Sequence, residues 1–160
     1  MVWINWEIFT ERWLERAERG RRIIDDGDRF ISLWIAFNGW MRGKFGEAIG
    51  DRCQIESVKK MRDFKNIFSR LREENIAFKE CLDELEGLSV VNMQFRNNRE
   101  DIYRYDGNFE SLIEVIYQVR CNLFHGRKNI DEDKKDIEMV GLAYRILLPL
   151  FRAYLSSNPS

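Results

Sequence analysis

The sequence predicts an all-α domain, a bundle of about five helices. Three observations lead there. Apolar residues recur every three or four positions in several long stretches, which is helical spacing. Sustained alternation is confined to one short stretch, residues 89–96. Only two prolines, Pro149 and Pro159, interrupt 160 residues that are 44% hydrophobic and 33% charged, a balance expected of a packed chain rather than an unfolded one. A chain of this size is one domain, expected over residues 1–155, with a disordered tail "SSNPS" at 156–160.

The first helix is expected from Val2, Trp6, Phe9, Trp13 and Ala17. "RRIIDDGDRF" breaks it, and Asp28 serves as cap for the next helix. That helix carries Phe30, Leu33, Trp34, Phe37 and Met41 on one stripe and Ile31 and Ile35 on another, so it is central and buried. Asn38 is its one polar interruption, and the glycine-rich "RGKFGEAIGD" after it is a turn. Residues 52–86 read as one long or two shorter helices with Val58, Met61, Phe64, Phe68 and Leu71 as the seam. The alternation at 89–96 has no partner run of its own kind and reads as a structured loop. A further helix spans about 108–125 and stops at Gly126. The last, about 133–155, aligns Ile137, Val140, Tyr144, Leu147 and Phe151, with Pro149 expected to kink or bound it.

The totals exclude several functions. The net charge of −1 argues against a non-specific nucleic-acid coat but allows a local basic site. One histidine and three scattered cysteines without a C-x-x-C pair give no support for a metal site and fit a reducing, cytoplasmic compartment. Charges interrupt the first residues before a secretory apolar core forms, and no apolar run is expected to span a bilayer, so no membrane role is expected. Cys53 and Cys81 read as small buried hydrophobes, and Trp6, Trp13, Trp34 and Trp40 as core. "SVKKMRDFK" and "RNNREDIYR" mix acids with bases and read as solvated faces.

The chemistry-bearing stretch is "VRCNLFHGRKN", which holds the single imidazole, His125. His125 is either a helix-end residue favourable to the dipole or an acid–base group. On an ideal helix Ile113, Ile116, Leu123 and Phe124 fall within about 60° of Arg120, so this guanidinium lies in an apolar face and must find a partner. An acidic residue of another helix would serve; so would a phosphate. Asn122 is either a helix-surface amide or part of the site, and Asn38 either pins packing or contributes to the site. His125 falls roughly 140° from Arg120, so the two converge only if the helix unwinds before Gly126 or a second protomer supplies its own pair. Cys121 and His125, four apart, could form a thiolate–imidazole dyad, but no orienting carboxylate or oxyanion loop accompanies them.

Arg120, Asn122 and His125, as R-C-N-L-F-H near the end of a late helix, resemble the R-x4-6-H signature of HEPN domains (higher eukaryotes and prokaryotes nucleotide-binding). "LWIAFN" resembles the early core helix of some prokaryotic members, and "DIEMVGLAYRILLPL" the closing helix, so the likeness spans about residues 28–152. The resemblance implies a HEPN-like bundle and a metal-independent endoribonuclease without a cofactor. Two motifs would face each other in a homodimer, in a defence or toxin–antitoxin setting with an antitoxin or regulatory protein as partner. Arg120, Asn122 and His125 would be the catalytic set, with Arg127, Lys128 and Asn38 binding RNA. A non-catalytic HEPN-like module that binds RNA, nucleotide or protein is the alternative, and a helical scaffold whose motif is only structural is a third reading. Arg127 stands where the branch paired with a nucleotidyltransferase has a tyrosine, two after the histidine, which puts regulation by adenylylation there in doubt.

Overall fold

The computed structural model describes residues 4–19, 26–91, 102–124 and 134–158. Seven helices lie among them: α1 (Trp6–Glu18), α2 (Asp26–Phe45), α3 (Asp51–Lys59), α4 (Arg62–Glu74), α5 (Ile76–Glu86), α6 (Phe109–Phe124) and α7 (Lys134–Ser157). Two short strands, β1 (Ser89–Val91) and β2 (Ile102–Arg104), separate α5 from α6. The all-α class holds, with more helices than the five expected.

The extra helices come from breaks that periodicity does not report. Residues 52–86 form three helices because Met61 and Asn75 adopt extended backbone between them. Asn75 ends α4 and caps α5, its Oδ1 accepting from Phe78 N at 3.0 Å. Asn5 caps α1 in the same way toward Glu7 and Ile8, and Asn108 caps α6 through Ser111 N at 2.7 Å. The apolar seam runs on across the breaks, since Val58, Phe64 and Phe68 are all buried.

The first three residues of the alternating stretch are not a loop, and residues 92–96 lie outside the described residues. Val90 pairs with Tyr103 in an antiparallel ribbon, and the second strand comes from "IYR", inside a segment read as a solvated face. Asp28 falls within the first turn of α2 rather than ahead of it. Pro149 lies inside α7 and bounds nothing. Ser156 and Ser157, expected in a tail, continue α7, whose end is closed by Asn158 N and Nδ2 donating to the Tyr154 carbonyl. Backbone hydrogen bonds there outlast the apolar pattern.

α2 is the central helix, with Phe30, Leu33, Phe37 and Met41 fully covered. α1 packs along one side of it at unusually close range. A Cβ at Gly39 would stand 2.5 Å from the Phe9 ring, and one at Gly43 2.9 Å from Trp6. α7 packs on another side, where Phe37 meets Phe151 edge-on at 5.1 Å and Tyr154 stacks on Phe64 at 4.1 Å. Trp34 is core, Trp13 and Trp40 pack against the core, and Trp6 is half-buried with its indole N–H donating to Glu47. Cys53 is exposed rather than buried, because α3 turns Ile55 and Val58 inward and Cys53 outward; Cys81 is half-buried.

One helical segment, Ile137–Ser157, is long and apolar enough to cross a membrane by length and composition, but 61% of its most apolar window is buried in the bundle. Its apolar face is covered by protein, as for a core helix.

Candidate functional site

The site forms where α2, the start of α3 and the second half of α6 meet. The glycine-rich turn after α2 sets it up. Gly46 has φ +99°, a conformation that side chains disfavour, and it lets the chain turn back. Buried Gln54 then ties the turn down, donating from Nε2 to the carbonyls of Gly46 and Ile49 at 3.2 and 3.0 Å. This fixes Gly50, the N-cap of α3, and Asp51 immediately after it.

Asp51 is the meeting point. Arg120 Nη2 lies 3.1 Å from Oδ2, and Asn38 Nδ2 donates to Oδ1 at 3.3 Å. The two residues come from opposite halves of the chain, and each takes one oxygen of the same carboxylate. The Arg120 side chain is 21% exposed and that of Asp51 29%, so the pair is covered on most sides yet not sealed. The Arg120 guanidinium also sits 5.9 Å from the centre of the Trp34 ring, at the outer limit of a cation–π contact. Trp34 and Asn38 are four apart on α2 and so present to the same side. Tyr117, Arg120 and Cys121 do likewise on α6, and the three form a half-buried strip beside α3.

The next residue of α3 adds a second clamp. Arg52 Nη1 donates to Glu114 at 2.8 Å, and Lys59 Nζ reaches Glu114 Oε2 at 2.8 Å. Burial alone would raise the Glu114 carboxyl, but these hydrogen bonds and charges outweigh it and hold Glu114 below the usual carboxylate range. Burial pushes the Tyr117 hydroxyl up to about 12; Cys121 and Asp51 push the same way, and Arg120 opposes them. Tyr117 is therefore a neutral hydroxyl at any ordinary pH.

Of the residues singled out in the sequence, Arg120 and Asn38 are brought together, through a carboxylate that periodicity did not mark. Arg120 sits at the border of the apolar face, toward α3, rather than within it. Its required partner is the acidic residue of another helix. Asn122 is not a surface amide: it is 5% exposed, and its Oδ1 accepts from buried Gln118 Nε2 at 2.9 Å. Two residues from Arg120, it projects about 200° around the helix, away from the Asp51 side. His125, Arg127 and Lys128 lie outside the described residues, and with them the Cys121–His125 pairing. Sequence reasoning missed Asp51, Tyr117, Gln118 and the Glu114 clamp. The only signal for Asp51 was the requirement that a covered guanidinium have a counter-charge.

Among the described residues, no group of three or more His, Cys, Asp or Glu side chains could hold a metal ion. An open groove of about 1110 Å³ lies elsewhere, between α1 and the ends of α2 and α7, lined by Ile8, Trp40, Met61 and Tyr154 among others. None of the Asp51 cluster borders it. Chemically, the cluster offers an oriented, partly covered guanidinium suited to an anion. Comparison with family models, with curated proteins and with solved structures returned no match.

Proposed function

We propose that this chain is a metal-independent endoribonuclease of HEPN type, acting in the cytoplasm as a homodimer. One observation carries the reading. The two stretches that resemble the family, "LWIAFN" and "RCNLFH", meet in space: Asn38 of the first and Arg120 of the second bind the same Asp51 carboxylate. Their meeting at one partly covered polar cluster supports reading the two stretches as parts of one site.

In this reading a 2′-hydroxyl of RNA attacks the adjacent phosphorus and the bond to the 5′-oxygen breaks. A base takes the 2′ proton, an acid supplies one to the leaving oxygen, and a cation stabilises the charge growing on phosphorus. His125 is the proton carrier, since an imidazole titrates near 6.5. Arg120 is the cation, supported by Arg127 and Lys128 on the RNA. Asn122, paired with Gln118 inside the fold, supports α6 rather than touching substrate. One imidazole per chain supplies one proton-transfer group, so two chains facing each other supply the acid and the base. The products are a 2′,3′-cyclic phosphate and a 5′-hydroxyl. A toxin–antitoxin or defence role, with a partner protein that restrains the enzyme, follows from the same resemblance.

The Arg120–Asp51 pair also favours the second reading, a non-catalytic module, because a guanidinium engaged by a carboxylate is not wholly offered to phosphate. Mixed RNA incubated with the purified chain in EDTA separates the two. Cutting that survives EDTA and disappears in His125→Ala and Arg120→Ala supports the enzyme. RNA that is bound and stays intact supports the module, and products ending in a 5′-phosphate rule out attack by the 2′-hydroxyl.

A further inference from the structure

We propose that Asp51 is a positioning residue for Arg120, a role that rests on the ribonuclease reading and deepens it. The geometry is that of an oriented carboxylate rather than a loose surface pair. Its two oxygens have separate duties: Oδ2 faces Arg120 Nη2 and Oδ1 accepts from Asn38 Nδ2. Asn38 sits on the central buried helix, so the orientation of the carboxylate is referred to the core of the bundle. Asp51 is itself at the first position of α3, and its backbone is held by the Gln54 ties to the preceding turn. Arg52, the next residue, locks the same end of α3 to α6 through Glu114. The guanidinium is thus fixed from two neighbouring helices. The contact to Asp51 brings Arg120 Nη2 to 3.1 Å from Oδ2.

Transition-state stabilisation by a cation depends on placement, and a displacement of about 1 Å can cost about 100-fold in rate. Asp51→Ala is therefore expected to lower kcat on RNA about 100-fold with KM within about twofold, since orientation rather than RNA affinity is lost. Asp51→Asn fills the same space without the charge and is expected to lower kcat about tenfold, one charge-assisted hydrogen bond being weakened. Asp51→Glu restores the charge and is expected to recover part of the rate. Val58→Ala is the control for mere loosening of α3: it trims a fully buried side chain further along the helix, touching neither Asp51 nor Arg120, and is expected to leave kcat of the folded chain within about threefold.

Steady-state cleavage of a short RNA in EDTA by the full chain and these variants, each checked for fold by circular dichroism, reads all of this. A kcat loss confined to the Asp51 variants, with partial recovery in Asp51→Glu, supports the positioning role. Wild type that cuts while Asp51→Ala and Asp51→Asn cut as fast overturns the positioning role and leaves the enzyme standing. Equal kcat losses in Val58→Ala and Asp51→Ala overturn it too, because the effect is then general to α3. Wild type that leaves RNA intact overturns the ribonuclease reading and the positioning role together.

Discussion

Lys59 Nζ and Glu114 Oε2 lie 2.8 Å apart across the α3–α6 interface, with 14% and 16% of their side chains exposed. Arg52, with 52% of its side chain exposed, approaches the same carboxylate at 2.8 Å. This is the most covered ion pair among the described residues and ties α3 to α6, so it is the first place where stability depends on charge. Removing Glu114 leaves Lys59 with only the more exposed Glu56, at 2.9 Å, and takes from Arg52 its partner on α6, so Glu114→Ala is expected to cost about 1 kcal/mol near neutral pH. Glu114 has a folded pKa below its unfolded value. Its contribution is therefore complete above the ordinary glutamate value of about 4.3 and is lost as pH falls through the lower folded value. Urea unfolding of wild type and Glu114→Gln from pH 3 to 7 should show a stability gap that is widest above about pH 5 and closes at the acid end. A gap independent of pH would refute the assignment.

The contact between Gly39 and Phe9 makes an opposite pair of predictions in two backgrounds. Alanine is a better helix former than glycine by about 1 kcal/mol. Its Cβ, however, would stand 2.5 Å from the Phe9 ring, and such overpacking costs about 1–3 kcal/mol. Gly39→Ala is expected to destabilise the wild type by about 1 kcal/mol. In a Phe9→Ala background the obstacle is gone, and the same substitution should stabilise. A double-mutant cycle by thermal melts measures the reversal; the same sign in both backgrounds would mean that α1 does not pack on α2 at this range.

Asn122 separates support from chemistry. Truncation to alanine leaves buried Gln118 Nε2 without the acceptor it has at 2.9 Å, a loss of about 2 kcal/mol. For a chain of this length that lowers Tm by roughly 4–8 °C. Cleavage per folded molecule at 25 °C should fall by less than about tenfold, against a loss of about 100-fold or more for Arg120→Ala. Asn122→Ala losing its rate with no change in Tm would return Asn122 to the substrate.

Tyr117 has a spectroscopic signature. Burial, with Cys121 and Asp51 beside it, pushes its hydroxyl up to about 12. The difference in ultraviolet titration between wild type and Tyr117→Phe should therefore show one phenol ionising near 12 rather than near the ordinary 10. An acid with a raised folded pKa favours the folded state fully below its unfolded pKa and loses that advantage as pH rises through the folded value. Wild type should accordingly lose stability relative to Tyr117→Phe between about pH 10 and 12. Ionisation of this phenol near 10 would place it in water.

Some of this was written in the sequence and some was not, for definite reasons. The 3.6-residue recurrence of Phe30, Leu33, Trp34, Phe37 and Met41 determined a buried central helix, because apolar area drives burial and helical geometry sorts it to one stripe. The same logic determined α6 and α7 and hence the all-α class. Breaks at Met61 and Asn75 were invisible to it, since an apolar stripe can pass through a turn without losing phase. The ribbon between Val90 and Tyr103 was equally hidden: a strand needs a partner, and here the partner is a run of only three residues on the far side of a polar stretch. The sequence also required that Arg120 meet a counter-charge, because a covered guanidinium without one is too costly to keep. Which of the 27 Asp and Glu residues provides it could be decided only by tertiary structure. Selecting Asp51 took the reversal at Gly46, the ties from Gln54 and the docking of α3 against α6, none of which leaves a periodic trace. Energies that fall with buried area are legible along a chain one helix at a time; a hydrogen bond acting over about 3 Å depends on where three helices come to rest.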